Sequence, residues 1–170
     1  MMVGSLLRIK ATKLKITKEE IIECNKKGLV EKLFFKNDEI SSIKLKYFPY
    51  WIGKIIYKRQ DKDTERNGLI AISDATKLTT PIVAEFIIED IEVTDDSIVK
   101  PRLDQEEVKK MLLKGAETYA LTKKKDTTIF FGRAKLELRE HYLIYRPFWD
   151  VEFVKGGGRY YEADGYFTRW

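Results

Sequence analysis

The residues of this chain that could do chemistry are few, and most have a simpler account. The carboxylate pairs Glu19-Glu20 and Glu106-Glu107 are the residue type that general acid–base catalysis uses. Both pairs open predicted helices, behind Thr17 and Asp104. There Thr17-x-x-Glu20 and Asp104-x-x-Glu107 read as capping boxes, and helix capping with dipole stabilisation accounts for the carboxylates. Cys24 is the only cysteine. It lies mid-helix beside apolar neighbours, where a small buried residue is expected rather than a nucleophile. His141 is the only histidine. One of each provides neither a Cys/His zinc set nor a supported Cys–His dyad, although carboxylate-only metal sites stay open. Gly156-Gly-Gly158 reads as a tight hairpin turn, because no helix follows to supply amide donors to a phosphate. No catalytic residue, cofactor or metal site is assigned.

The remaining grouping mixes aromatic and basic residues. Tyr47-Phe-Pro-Tyr-Trp51 returns as Tyr145-Arg-Pro-Phe-Trp149, each inside a predicted long strand. Residues two apart in a strand share a face. Leu45, Tyr47, Pro49, Trp51, Ile55 and Tyr57 then form one core face, and Leu143, Tyr145, Pro147, Trp149, Val151 and Phe153 another. Trp51 and Trp149 are expected to be buried against the helix of their own half, near Ile21 and Val108. The opposite face keeps Lys44, Lys46, Tyr50, Tyr142, Arg146 and Phe148, which are the candidate binding residues. Rings beside cations suit an acidic peptide or a phosphate backbone. A sheet-to-sheet or dimer contact is the plainer explanation of the same rings. Each proline lacks a ladder donor and suggests a bend in its strand.

The elements that must position these residues come twice. Ile16-Thr-Lys-Glu-Glu-Ile-Ile-Glu-Cys-Asn-Lys-Lys-Gly28 matches Leu103-Asp-Gln-Glu-Glu-Val-Lys-Lys-Met-Leu-Leu-Lys-Gly115 without a gap. Phe34-Phe35 returns as Phe130-Phe131, and Ile72-Ser-Asp-Ala75 has an echo in Glu162-Ala-Asp-Gly165. The order is the same in both halves, which points to one duplicated supersecondary unit. Strands are predicted over 5–16, 29–36, 40–59, 68–73, 83–93, 127–139, 140–155 and 159–163, and helices over 17–27 and 104–122. The predicted fold class is α+β: two tandem β-α-β-β-β repeats, 1–81 and 82–170, whose antiparallel sheets each pack on one helix. Without a Gly/Ser or Pro linker, the repeats are expected to form one rigid unit.

With 44% apolar residues the chain can bury a real core, which argues against global disorder. Charged residues reach 35%, and abundant Lys and Ile would suit a thermophile's surface. The net charge of +5 is unevenly spread: residues 1–66 carry 16 basic against 9 acidic groups, 67–107 carry 3 against 10, and 108–170 carry 13 against 8. The blocks could face each other, or the basic ones could meet an anionic partner. No apolar run is long enough for a transmembrane segment, and no signal peptide is recognised, so a cytoplasmic location is the default expectation. A non-catalytic protein- or peptide-interaction module is the leading reading. A nucleic-acid-binding protein is the alternative, although no RNP motif is present. A homo-oligomer through a sheet face is a further partner expectation. An enzyme using carboxylate or tyrosine chemistry is the third reading.

Trp149-Asp-Val-Glu-Phe153, a Gly turn and Tyr160-Tyr-Glu-Ala-Asp-Gly165 resemble the PepSY-like and cystatin-like small α+β units. Leu69-Ile-Ala-Ile-Ser-Asp-Ala-Thr76 is similar to the strand ending of PepSY repeats, from which Lys77 departs. The resemblance covers about half the chain. It implies a non-enzymatic module that binds peptides or proteins, often repeated and often outside the cytoplasm. It assigns no functional residue.

Overall fold

A computed structural model describes residues 4–27, 39–59, 65–122 and 134–165. The chain is a mixed α+β protein. Strand β1 (Leu6–Thr12) leads to helix α1 (Lys18–Lys27), then to β2 (Ile40–Arg59), β3 (Glu65–Asp74), β4 (Ile82–Val83) and β5 (Ile88–Thr94). A 3-10 turn at Asp95–Ser97 precedes helix α2 (Gln105–Thr122), which is followed by β6 (Ala134–Phe153) and β7 (Gly158–Glu162). The strands make one mostly antiparallel sheet in the order β4-β3-β2-β6-β1-β5, with β7 paired to β6. Among the described residues no helix is long and apolar enough to cross a membrane.

Local chemistry sets the start of α1. Thr17 Oγ1 accepts from the Glu20 amide at 3.3 Å, and the Glu20 carboxylate accepts from the Thr17 amide at 2.9 Å. This is the reciprocal capping box expected from the sequence. The expected strand over 83–93 is instead divided into β4 and β5. The expected break between residues 139 and 140 is absent: β6 runs through Arg139-Glu140 without interruption. Charge alone does not end a strand when neither Gly nor Pro removes a ladder bond. The expected strand over 29–36 lies outside the described residues.

The chain forms two compact units, each drawing on both halves of the sequence. One unit comprises Pro49–Ile87 and Lys100–Ile144. Its core joins Val108, Leu112, Ala116 and Ala120 of α2 to Ile55, Leu69 and Ala71 of β2 and β3, with Trp51, Leu136 and Leu138 packed against them. The buried α2 residues recur every four positions, the spacing of one helix face. Gly53 permits this approach. A Cβ there would stand 2.7 Å from Leu138 Cδ1 and 3.0 Å from Leu112 Cδ1. The other unit comprises Met1–Phe48, Ile88–Val99 and Tyr145–Trp170. In it β1 pairs antiparallel with β5, from Leu6 opposite Thr94 to Thr12 opposite Ile88. Ile9, Ala11, Tyr47 and Val93 form its buried cluster.

One set of backbone bonds is found in both units. Tyr50, Ile52 and Lys54 of β2 pair with Asp74, Ile72 and Ile70 of β3. Phe148, Asp150 and Glu152 of β6 pair with Glu162, Tyr160 and Gly158 of β7 in the same register. The Pro49 carbonyl accepts from the Ala75 amide, and the Pro147 carbonyl from the Ala163 amide, each at 3.0 Å. The Ala75 carbonyl then accepts from Arg102 and Leu103, at 2.8 and 2.9 Å, and the Ala163 carbonyl from Lys15 and Ile16 at the same two distances. Ala75 therefore matches Ala163, two positions away from the alignment of Asp74 with Asp164 suggested by the residue echo.

These bonds correct the expected tryptophan partners. Trp51 packs on the cluster that includes Val108, and the Trp149 indole donates to the Ile16 carbonyl at 2.8 Å. Each tryptophan therefore meets the helix, or the run into the helix, from the other half of the sequence. A long strand ending in a hairpin reaches the neighbouring helix, whereas adjacency in sequence does not fix adjacency in space. Both rings are partly buried. The Trp51 indole nitrogen is buried without a hydrogen-bond partner among the described residues. Trp149→Phe should then destabilise the protein by about 1 kcal/mol more than Trp51→Phe, since only the former removes a made hydrogen bond. Urea denaturation of the two variants checks this, and equal losses would contradict it.

Candidate functional site

Strands β2, β6 and β7 bring the odd-numbered Trp149 to the Ile16 carbonyl and turn their even-numbered side chains the other way. On that second face, within the unit containing residues 145–170, Lys46 Nζ lies 3.2 Å from Asp150 Oδ2. Ser42 Oγ donates to Glu152 Oε2 at 3.3 Å. The Phe48 ring meets both Phe148 and Tyr160 edge to face, with centroids 5.1 Å apart in each case. Beside these pairs runs an open groove of about 520 Å³, lined by Lys46, Asp150, Glu152, Phe153, Tyr160 and the Gly156–Gly158 turn. Gly156 and Gly157 take φ of 96° and 80°. These values favour glycine, and neither position has a heavy atom within 4 Å of where a Cβ would stand. The turn therefore forms a low wall, and the Tyr160 side of the groove stays accessible, with Tyr160 itself 51% exposed.

The hydrogen bond to Asp150 holds the Lys46 ammonium above its ordinary pKa, against the opposing effect of partial burial; the Asp150 charge, Tyr160 and Glu152 act in the same direction as the bond. Lys46 is thus a cation at neutral pH and not a free base. Burial pushes the Tyr47 and Tyr145 phenols up as well, which keeps both protonated at neutral pH. His141 lies in the other unit, 2.7 Å from the Gln105 amide nitrogen and beside Trp51. Among the described residues no group of three His, Cys, Asp or Glu side chains could hold a metal ion.

The matched hairpin of the other unit shows what this face looks like when built as core. Register equates Asp150 and Tyr160 with Ile52 and Ile72. The spacing from the prolines equates Lys46 with Ile144. Ile52, Ile72 and Ile144 are 5%, 0% and 0% exposed. Three aliphatic core residues thus correspond to an ion pair and a tyrosine around an open groove.

The six residues expected to form a binding face are not brought together. Lys44 is exposed and Lys46 and Phe148 are half-buried, all in the unit with the groove. Tyr50 and Tyr142 belong to the other unit, where Tyr50 is buried and Tyr142 is 39% exposed. Arg146 has no solvent exposure, contrary to the expected open face. Its Nε and Nη2 donate to the two oxygens of buried Asp164 at 2.7 and 2.9 Å, and Thr12 Oγ1 donates to Asp164 Oδ2 at 2.8 Å. Glu162 lies 3.3 Å from Arg146 Nη2, and the guanidinium stands 5.3 Å from the Phe148 ring centre. Strand parity points Arg146 away from the apolar stripe, but the stripe does not reveal a carboxylate eighteen residues later that closes over it. Conversely, the six candidates omit Asp150, Glu152 and Tyr160. Parity places the first two on this face, and a hairpin through the Gly turn adds the third.

The buried ion pair and the ring pair can each be tested through stability. Asp164→Asn should destabilise the fold by about 3 kcal/mol, because it removes the bidentate countercharge of a buried guanidinium and leaves the longer contact to Glu162. Replacing both partners, as Arg146→Met with Asp164→Leu, should lose much less, as read by chemical denaturation. A double-mutant cycle of Phe48→Leu and Phe148→Leu should return a coupling of about 0.5–1.5 kcal/mol from the edge-to-face pair. A coupling near zero would show that the rings contribute only their burial.

Comparison with protein-family models, curated proteins and solved structures finds no match to this chain, so its functional reading rests on the groove and the face around it.

Proposed function

We propose that the chain is a non-catalytic protein- or peptide-interaction module whose partner docks on the β2–β6–β7 face around the groove. One observation carries this reading. Tyr160 is half exposed and Lys46 and Asp150 are partly exposed, at positions whose counterparts by hairpin register and proline spacing are buried isoleucines. Core formation does not require an ion pair and a half-exposed ring there, whereas a contact surface uses both.

The scaffold is inferred to be a duplicated β-α-β-β-β unit in which each hairpin receives the helix of the other copy. The shared strand register, the two proline carbonyls and the two alanine carbonyls support this. One copy of the hairpin face is then retained as core and the other is opened for binding. A helix packed on antiparallel strands also agrees with the resemblance to cystatin-like and PepSY-like units. The nucleic-acid alternative keeps Lys44 as an exposed cation on this face, but Arg146 is buried against Asp164, and Lys46 is paired with Asp150 beside Glu152.

A random peptide library panned on the wild-type chain should yield ligands that lose binding to Tyr160→Ser/Glu152→Lys. Both substitutions are at exposed positions, so the variant should keep its circular dichroism and unfolding midpoint. Sedimentation of the wild type shows whether a second copy covers this face. Ligands indifferent to the double substitution, or tight salt-sensitive binding of single-stranded oligonucleotides instead, would overturn the reading.

A further inference from the structure

The groove's charge and shape identify the group it receives. Its lining holds one cation, Lys46, against two carboxylates, Asp150 and Glu152, with the rings of Phe153 and Tyr160 beside them. An incoming anion would meet two negative charges. An incoming cation would meet two carboxylates and an accessible phenol ring, a pairing that recognises guanidinium and ammonium groups. The chain already places one ammonium there: Lys46 Nζ is 3.2 Å from Asp150 Oδ2. The groove is open along the glycine turn, so it cannot enclose a free small molecule as a closed pocket does. A volume of about 520 Å³ leaves room for one or two long side chains presented by a larger partner.

We propose that this groove is a receptor for an arginine or lysine side chain of a peptide partner, which takes Asp150 from Lys46 and lies between Glu152 and the Tyr160 ring. The proposal rests on the interaction-module reading and names the chemistry of its ligand. It assigns Lys46 a second role as an internal occupant that the partner displaces. Binding would therefore be weaker in the wild type than in a chain lacking this amine, as expected when a site must release one contact to gain another.

The test is fluorescence anisotropy of the full chain with three labelled Gly-Ser decapeptides carrying a central Arg-Arg, Glu-Glu or Leu-Leu pair. The Arg-Arg peptide should bind and the other two should not. Asp150→Asn should weaken it about tenfold, equivalent to one charge-assisted contact. Glu152→Gln, at an exposed position, provides a second reading if the Asp150 variant does not fold. Lys46→Met should tighten binding about threefold or more. Equal binding of all three peptides, no dependence on either carboxylate, or weaker binding by Lys46→Met would overturn the proposal. If library ligands depend on Tyr160 and Glu152 but prove acidic or apolar, the basic-side-chain assignment fails while the interaction module stands. If no library ligand depends on this face, the module reading fails with it.

Discussion

Two backbone carbonyls hold the helices to the hairpins. The oxygen of Ala75 accepts two successive amides from the run into α2, and the oxygen of Ala163 accepts two from the run into α1. A carbonyl has two lone pairs, and here both are used within the chain. Each alanine amide is meanwhile bound to a proline carbonyl two residues past a buried or half-buried tyrosine. The alanines have no solvent exposure, so a missed bond could not be replaced by water, and the loss would carry the desolvation penalty of the orphaned group. The side chain at such a point must be small, because strand, hairpin end and helix approach there together.

This arrangement explains why the prolines lie in the middle of long strands. Proline has no amide to donate, but its carbonyl remains a full acceptor. In β2 and β6 that carbonyl receives the residue just beyond or at the hairpin's end. The two compact units also change over beside these positions, at Phe48/Pro49 and at Ile144/Tyr145. A residue type usually read as a strand breaker is here part of a fixed junction.

Charge in the unit with the groove is handled in two ways on one face. Arg146 and Asp164 are removed from water and joined in a bidentate pair, with Thr12 as a further donor to Asp164. Such a pair is sensitive to loss of one partner, whatever its net contribution to stability. A few residues away Glu152 is exposed and Lys46 and Asp150 are partly exposed; a pair in contact with solvent contributes little to stability and can be exchanged for an outside partner. The first arrangement fixes the end of the described chain against β1. The second leaves ionic and aromatic groups available beside the groove.

The sequence by itself determined the local elements. The Thr17 capping box, the start of α2 after Asp104, the span of β2 and the glycine turn all follow from residues within a few positions of one another, and the structure has them where those residues predict. The repeated aromatic–proline motif marked the two long strands for the same reason. Tertiary structure alone decided which hairpin meets which helix, and so the partners of Trp51 and Trp149, because these depend on where a strand of about twenty residues delivers its far end. It also decided the fate of the candidate residues. Parity put Arg146 and Tyr50 on the face away from the apolar stripe, but solvent exposure depends on what lies over that face. For Arg146 this is Asp164, whose position is set by the hairpin and not by any periodicity around the arginine. The groove was hidden for a related reason: its lining combines β2, β6 and the turn into β7, three segments that hydrogen bonding joins and sequence spacing keeps apart.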